Sequence, residues 1–259
     1  MSTRKARQAI GNETVRISNT REYMLNGQKI TLPPLEQPVV YTEQMLADLA
    51  QKPVQAKYPE NIVYNSCSIS AALKFAPKRI AILNFANEKE PGGGFLQGVV
   101  AQEQQLCYCS DLYTSLTKCN RDYYFYNCEQ TSQENTGRII VSQNTVIRDQ
   151  DFNFIEPVPV TIITCAAVRA YLIKDQIQVQ QFMKTRIKNI MNVLNDLNVD
   201  VAILGAFGCG VFKNDVQFVA KCFAEEGHKG GKVNCFAIFK CEENLNAFQK
   251  EFEGQQEQE

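Results

Sequence analysis

Two glycine-rich segments stand out as places where backbone, rather than side chain, could hold a ligand. The first contains Gly92-Gly93-Gly94 and runs on through Phe95 to Gln102-Glu103-Gln104. Three consecutive glycines strip a stretch of chain of side chains. Its N–H groups can then approach a phosphate or a sugar closely, and its φ angles can turn positive. A flexible surface turn is the alternative for a bare triplet. The second segment is Gly205-Ala206-Phe207-Gly208-Cys209-Gly210-Val211-Phe212, a Gly-x-x-Gly-x-Gly string. Placed ahead of a helix, such a loop suits an anion, because loop N–H groups and the helix N-terminus both favour negative charge. The spacing departs from the dinucleotide fingerprint and lacks the Gly-Lys-Ser/Thr ending of a P-loop, which argues against hydride transfer and against nucleoside triphosphate hydrolysis.

Other chemistries find less support. The single histidine, His228, lies in a Gly/Lys turn remote from any nucleophile, which disfavours Ser-His and Cys-His systems. Cys107-Tyr108-Cys109 has one residue between its thiols rather than two, with no second close pair, so no structural metal is expected. The ten cysteines mostly sit in apolar segments such as Ile163-Thr164-Cys165-Ala166 and read as buried reduced thiols. Glu88 and Asp111 read as solvated loop charges unless the fold draws them into a site.

The elements that must position these loops alternate in type. Strand patterns are expected at 62–64, 79–85, 158–165, 199–204 and 234–239, and a short one at 28–32. Helical spacing is expected over 4–17, 43–50, 69–75, 179–197, 216–224 and 245–252. In the longest, Phe182, Ile187, Ile190, Met191, Leu194 and Leu197 share one face. Strands alternating with helices give a layered α/β domain with a largely parallel or mixed sheet, whose ligands bind beyond the carboxyl ends of its strands. Both glycine-rich segments follow such ends, at Phe85 and Leu204. The chain is read as a single domain over 1–259, with 1–8 and 253–259 as frayed tails. With 27 basic against 28 acidic residues, duplex nucleic acid is not an expected partner. No apolar run is long enough for a membrane span, and no signal-peptide core follows Met1, so a cytoplasmic or nuclear location is expected.

Taken together, the Gly triplet, the seven residues that separate it from Gln102-Glu103-Gln104, and the distant Gly-Cys-Gly-Val-Phe loop resemble the microbial-type poly(ADP-ribose) glycohydrolase family, a branch of the macrodomain fold. Its signature is Gly-Gly-Gly, six to eight residues, then Gln-Glu-Glu. The likeness extends from Asn12-Glu13-Thr14-Val15 through Leu83-Asn84-Phe85-Ala86 and Leu204–Asp215 to the last helix near Phe248. It implies a three-layer α/β/α macrodomain with a mixed, largely parallel central sheet that binds ADP-ribose or poly(ADP-ribose), carried on modified proteins, without metal or organic cofactor. By the same resemblance, Asn87, Gly92, Gly93, Gly94 and Phe95 contact the distal ribose and diphosphate. Gly208, Cys209, Gly210, Val211 and Phe212 hold the diphosphate, with Phe212 on the ribose, and Gln102 and Glu103 shape the ribose end. For Phe95 and Phe212, core packing is an equal alternative. Phe207 stands where the family often has Trp, and the aromatic tract at 123–126 could stack on adenine or pack in the core.

The resemblance fails at one position. The second Glu of the signature is the family's catalytic residue, and here it is Gln104. Cleaving a ribose–ribose O-glycosidic bond passes through an oxocarbenium-like state, in which a carboxyl group protonates the leaving oxygen and then activates water. A carboxamide does neither, though it can still hydrogen-bond to the same oxygen. Three readings stand open: a glycohydrolase acting through Glu103, a hydrolase of another ADP-ribosyl linkage, and an ADP-ribose reader that has lost turnover.

Overall fold

The computed structural model describes residues 3–54, 59–130, 137–227, 230 and 232–253. In chain order its elements are α1 (Arg4–Thr20), β1 (Glu22–Leu25), β2 (Gln28–Thr31), β3 (Val39–Tyr41), α2 (Glu43–Leu49), β4 (Glu60–Tyr64), α3 (Ser68–Phe75), β5 (Ile80–Phe85), α4 (Gln102–Cys109), α5 (Leu112–Thr117), α6 (Tyr126–Glu129), β6 (Ile139–Arg148), β7 (Phe154–Cys165), α7 (Gln176–Asp196), β8 (Val201–Leu204), α8 (Val216–Glu226), β9 (Val233–Ala237) and α9 (Glu242–Glu253). Seven strands form one sheet in the order β3-β6-β7-β5-β8-β9-β4, and β1 and β2 make a separate hairpin. The pairs β7-β5, β5-β8, β8-β9 and β9-β4 are parallel, whereas β3-β6 and β6-β7 are antiparallel. The sheet is therefore mixed, with a parallel half.

The strand alternation explains the layers. Ala81 and Leu83 of β5, with Ala202 and Leu204 of β8, pack in one core with Met183, Ile187, Ile190 and Leu194 of α7 and Val219 and Phe223 of α8. Ile80, Ile82, Val201 and Ile203 point the other way, into a second core with Ile69 and Ala72 of α3 and Leu106 and Cys109 of α4. Successive Cβ atoms of a strand face opposite sides, so an unbroken apolar run supplies both cores at once. The result is the three-layer α/β/α arrangement.

Several expectations are corrected. Residues 4–8 are not frayed: α1 begins at Arg4 with Thr3 as N-cap, and the guanidinium groups of Arg4 and Arg7 donate to the carbonyls of Gln97 (2.8 Å) and Gly98 (2.9 Å). At the other end α9 runs to Glu253, and 254–259 lie outside the described residues, as does His228. Asp111 is buried, ion-paired to Arg21 at 2.9 Å, and accepts from Asn144 Nδ2 and the Thr145 N–H. It braces β6 against α5 and is no solvated loop charge. Tyr123 and Tyr124 are core residues. Among the described residues every cysteine is free, seven of them buried, and no group of metal-ligating side chains occurs. No helix among the described residues is long and apolar enough to cross a membrane.

Candidate active site

The site begins where β5 ends. Asn84 is the polar residue in an otherwise apolar strand, and it is fully buried. Its Nδ2 donates to Thr164 Oγ1 of the neighbouring strand at 3.2 Å and to Glu103 Oε1 at 3.3 Å. The Asn87 N–H donates to Glu103 Oε2 at 2.9 Å, and the Gly92 backbone supplies a further hydrogen bond to the same carboxylate. Glu103 is thus pinned between the strand end and the glycine loop. Burial pushes its carboxyl up to about 8, against the three hydrogen bonds that favour the charged form, and the Glu88 charge adds to the rise. Burial thus favours the protonated form near neutral pH, and the three N–H donors oppose it.

Glu103 reaches this position because Gln102-Glu103-Gln104 opens helix α4, where successive side chains fan out by about 100°. Gln102 points back at the strand: its Oε1 accepts from the Phe85 N–H (2.9 Å), and its Nε2 donates to the Leu83 carbonyl (2.8 Å) and Ser68 Oγ (3.1 Å). Gln104 turns toward the glycines, its Nε2 donating to the Gly92 carbonyl at 3.0 Å while its Oε1 is buried without a partner. An ionised carboxylate at this position could accept but not donate, so the bond to Gly92 is one that the amide makes and a charged Glu would lose.

The glycine triplet works differently from the expected cradle. Two of its N–H groups turn inward, Gly93's to the Glu90 carbonyl at 3.0 Å and Gly92's toward Glu103. Gly93 has φ +49°, and a Cβ there would lie 2.8 Å from Gln104 Nε2 and 3.4 Å from Glu103 Oε2. Lack of a side chain lets the loop lie directly on the two residues of interest. Asn87 shapes the same loop, its Oδ1 accepting from the N–H groups of Lys89 and Glu90. Phe95 is fully buried, its ring against Tyr108 and Tyr113. Its assignment as a ligand contact is corrected: the aromatic anchors the loop in the core. Glu88 is corrected too, being buried and ion-paired with Arg169 after β7.

The loop after β8 supplies the open part of the site. Gly208 has φ +74°, and a Cβ on it would strike Ala167 Cβ at 2.5 Å and Asn214 Nδ2 at 2.7 Å. Asn214 Nδ2 ties the loop down by donating to the carbonyls of Val168 and Gly208. Above this anchor the N–H groups of Gly210, Val211 and Phe212 meet no acceptor among the described residues, and Val211 is 79% exposed. N–H groups in such a loop are open to an acceptor on a ligand. The helix N-terminus behind it does not contribute, because Asp215 caps α8 by accepting from the Phe218 N–H at 2.7 Å. Cys209 is half-buried and packs toward the core, its thiol pushed up to about 12 by burial. Phe207 is fully buried, edge-on to Phe85, so the aromatic there is a packing residue.

A cleft of about 440 Å³ lies over the carboxyl ends of the parallel strands. Phe85, Ala167, Ala206 and Ala237 are among its lining residues, with Gly208, Gly210, Val211 and Phe212 on one side and Gln102, Gln105 and Tyr108 on another. Of the residues singled out from sequence, Gln102 and four of the second loop thus meet in the cleft. Asn87, Gly92, Gly93, Gly94, Glu103 and Gln104 are not among its lining residues and form a cluster of their own, in which the Asn87 N–H meets Glu103 and Gln104 meets Gly92. Sequence reasoning missed Asn84, whose signal was a carboxamide inside an apolar strand, and Arg169, which had none.

The comparisons with known proteins follow this geometry. The family model described as microbial-type PARG, catalytic domain, matches residues 8–149, more than half the chain. The poly(ADP-ribose) glycohydrolase from Thermomonospora curvata, solved bound to the inhibitor ADP-HPD, is 26% identical over 96% of this chain and 100% of that one, with a TM-score of 0.87. The poly(ADP-ribose) glycohydrolase from Deinococcus radiodurans, solved in complex with ADP-ribose, is 31% identical over 84% of this chain and 95% of that one, with a TM-score of 0.77. No curated protein matches the chain. By the family match and by these likenesses in sequence and fold, the chain belongs to the microbial-type poly(ADP-ribose) glycohydrolase family.

Proposed function

We propose that this protein binds ADP-ribose in the cleft and cleaves the ribose–ribose O-glycosidic bond of poly(ADP-ribose), with Glu103 as the group that carries the proton. The observation that supports this is the state of Glu103. It is a buried carboxyl, raised to about 8, lying behind the glycine loop that the resemblance assigns to the distal ribose. A carboxyl protonated at neutral pH can give its proton to the leaving oxygen and, once ionised, take one from the attacking water. In this reading the unoccupied N–H groups of Gly210, Val211 and Phe212 accept the diphosphate, the Phe212 ring lies on the ribose, and Asn87 with Gly92–Gly94 borders the distal ribose. No metal or cofactor takes part, and the ligand is a free ADP-ribose unit or one carried on a modified protein.

A second reading, an ADP-ribose reader without turnover, is favoured by Gln104. Its amide fits the loop by donating to Gly92, and it has no proton to exchange. One experiment separates the two: ADP-ribose release from poly(ADP-ribose) by the protein, by Glu103→Gln and by Gln104→Glu, with ADP-ribose affinity measured by calorimetry for each. Release by the parent that is lost in Glu103→Gln supports the hydrolase. Binding without release, with release gained only in Gln104→Glu, establishes the reader. Neither binding nor release by any of the three overturns both.

A further inference from the structure

Three strand-end loops converge on one ion pair whose carboxylate is buried and whose guanidinium is partly exposed. In the sheet β5 lies between β7 and β8, yet the loop after β8 reaches across the end of β5 to the segment that follows β7. Two contacts mark that reach: the Ala170 N–H donates to the Phe212 carbonyl at 2.9 Å, and Asn214 Nδ2 donates to the Val168 carbonyl at 2.8 Å. Arg169 sits between these two anchors, and its guanidinium pairs with Glu88, which follows Asn87 in the loop after β5. Glu88 is 4% exposed, and its own carbonyl accepts from Asn127 Nδ2 at 3.1 Å. The Nε of Arg169 is buried without a partner, so Glu88 is the anion that compensates this cation.

We infer that the Glu88–Arg169 pair is a positioning device that sets the spacing between the loop behind the distal-ribose end and the cradle at Gly210–Phe212. Removing Arg169 leaves Glu88 charged and buried without its partner, and removing Glu88 leaves a partly exposed guanidinium whose Nε is buried, so the unpaired group moves toward water. Arg169 is held to the cradle by the main chain on both sides of it, so displacement of its side chain is transmitted to Phe212. The two ends of the cleft are thereby coupled through a contact that touches neither ligand nor reacting atoms. The functional consequence rests on the ADP-ribose reading above, but the coupling itself does not.

The test is hydrogen–deuterium exchange on the free, full-length protein, comparing the parent with Glu88→Gln, Arg169→Met and the double variant. Glu88→Gln changes the loop after β5, yet the expected response includes at least about fivefold faster exchange at Ala170 and at the hydrogen-bonded amides of Phe207, Cys209, Lys213 and Asn214, the size of a modest inter-site coupling. Faster exchange confined to 86–94 overturns the inference. The double variant, which removes both charges together, is expected to recover part of the protection, and a strictly additive loss overturns it. ADP-ribose affinity, measured well below each variant's melting temperature, is expected to fall by a similar factor and to show the same non-additivity. Should the parent bind no ADP-ribose, the functional reading fails while the exchange pattern still decides the coupling.

Discussion

The open cleft and the closed layer behind the glycine triplet are built on opposite rules. The cleft is lined mostly by small or apolar side chains and by backbone, with Gln102, Gln105 and Asn244 as polar members, and the N–H groups of Gly210, Val211 and Phe212 meet no acceptor among the described residues. The layer beside it is polar and largely hydrogen-bonded. Glu103 takes three hydrogen bonds, and Gln104 holds Gly92. Shape and an anion cradle suffice to hold a ligand, whereas proton transfer needs a group whose charged form is disfavoured by burial. Under the proposed function binding and chemistry are therefore separable, and a substitution in one region should leave a different signature from one in the other.

The largest separation is expected at Glu103→Gln. Removing the carboxyl that carries the proton should lower ADP-ribose release by about 10²–10⁴, the usual worth of general acid–base catalysis, while ADP-ribose affinity changes little. That loss corresponds to roughly 3–5 kcal/mol of barrier. Unchanged release in the variant would show that Glu103 does not carry the proton.

The pH dependence of stability comes next. The Glu103 carboxyl is raised in the folded protein to about 8, above its unfolded value near 4.5, so the native state holds a proton that the unfolded chain releases. Its contribution is fully present below about 4.5 and is lost as pH rises through 8, with a slope of up to about 1.4 kcal/mol per pH unit in between. Urea unfolding of the protein and of Glu103→Gln at pH 5, 6, 7 and 8 should show a flatter profile in the variant. Parallel profiles would place the group's titration outside this window.

Glycine substitutions sharpen the contrast further. Gly93→Ala drives a Cβ to 2.8 Å from Gln104 Nε2, and Gly208→Ala drives one to 2.5 Å from Ala167, each at positive φ. Each should cost about 1–3 kcal/mol of stability. Gly208→Ala should lose affinity for ADP-ribose, and Gly93→Ala should lose turnover more than affinity. Calorimetry and release assays on both proteins check the pairing, which fails if the two variants lose the same property. The smallest effect is expected from Phe212→Ala, a half-buried ring on the cleft wall. Affinity should fall by about tenfold, equivalent to about 1.4 kcal/mol, with the melting temperature as the control for folding.

Much of the fold was legible in sequence because the strands of the parallel half read as short apolar runs, and α7 as an amphipathic helix that covers them. The elements that escaped are those whose partners hide the period. Strand β6 carries buried Asn144 because Asp111 and Ser115, at the cap and in the body of α5, accept from its Nδ2, and Ser142 in turn donates to Asn144 Oδ1, which interrupts the apolar run. Helix α4 is buried on nearly every side, so Gln102–Cys109 shows no polar face to mark it. At the site, Glu103 and Gln104 were legible as types. Their geometry was not, because it depends on whether the segment is helical.

What the sequence determined by itself was the kind of protein: an alternating α/β chain with two glycine-rich loops at strand ends, and a carboxamide where the family has its acid. Local pattern suffices for this, since strand alternation, helical period and glycine tolerance are properties of neighbouring residues. What only the tertiary structure decided was which charges are buried and what they meet. Glu88 and Asp111 pass from expected solvated charges to buried ion pairs through Arg169 and Arg21, residues 81 and 90 positions away. Phe95 turns to the core and Gln104 to Gly92, contacts set by packing between elements. The cost of burying a charge depends on partners brought from elsewhere in the chain, which no local pattern specifies.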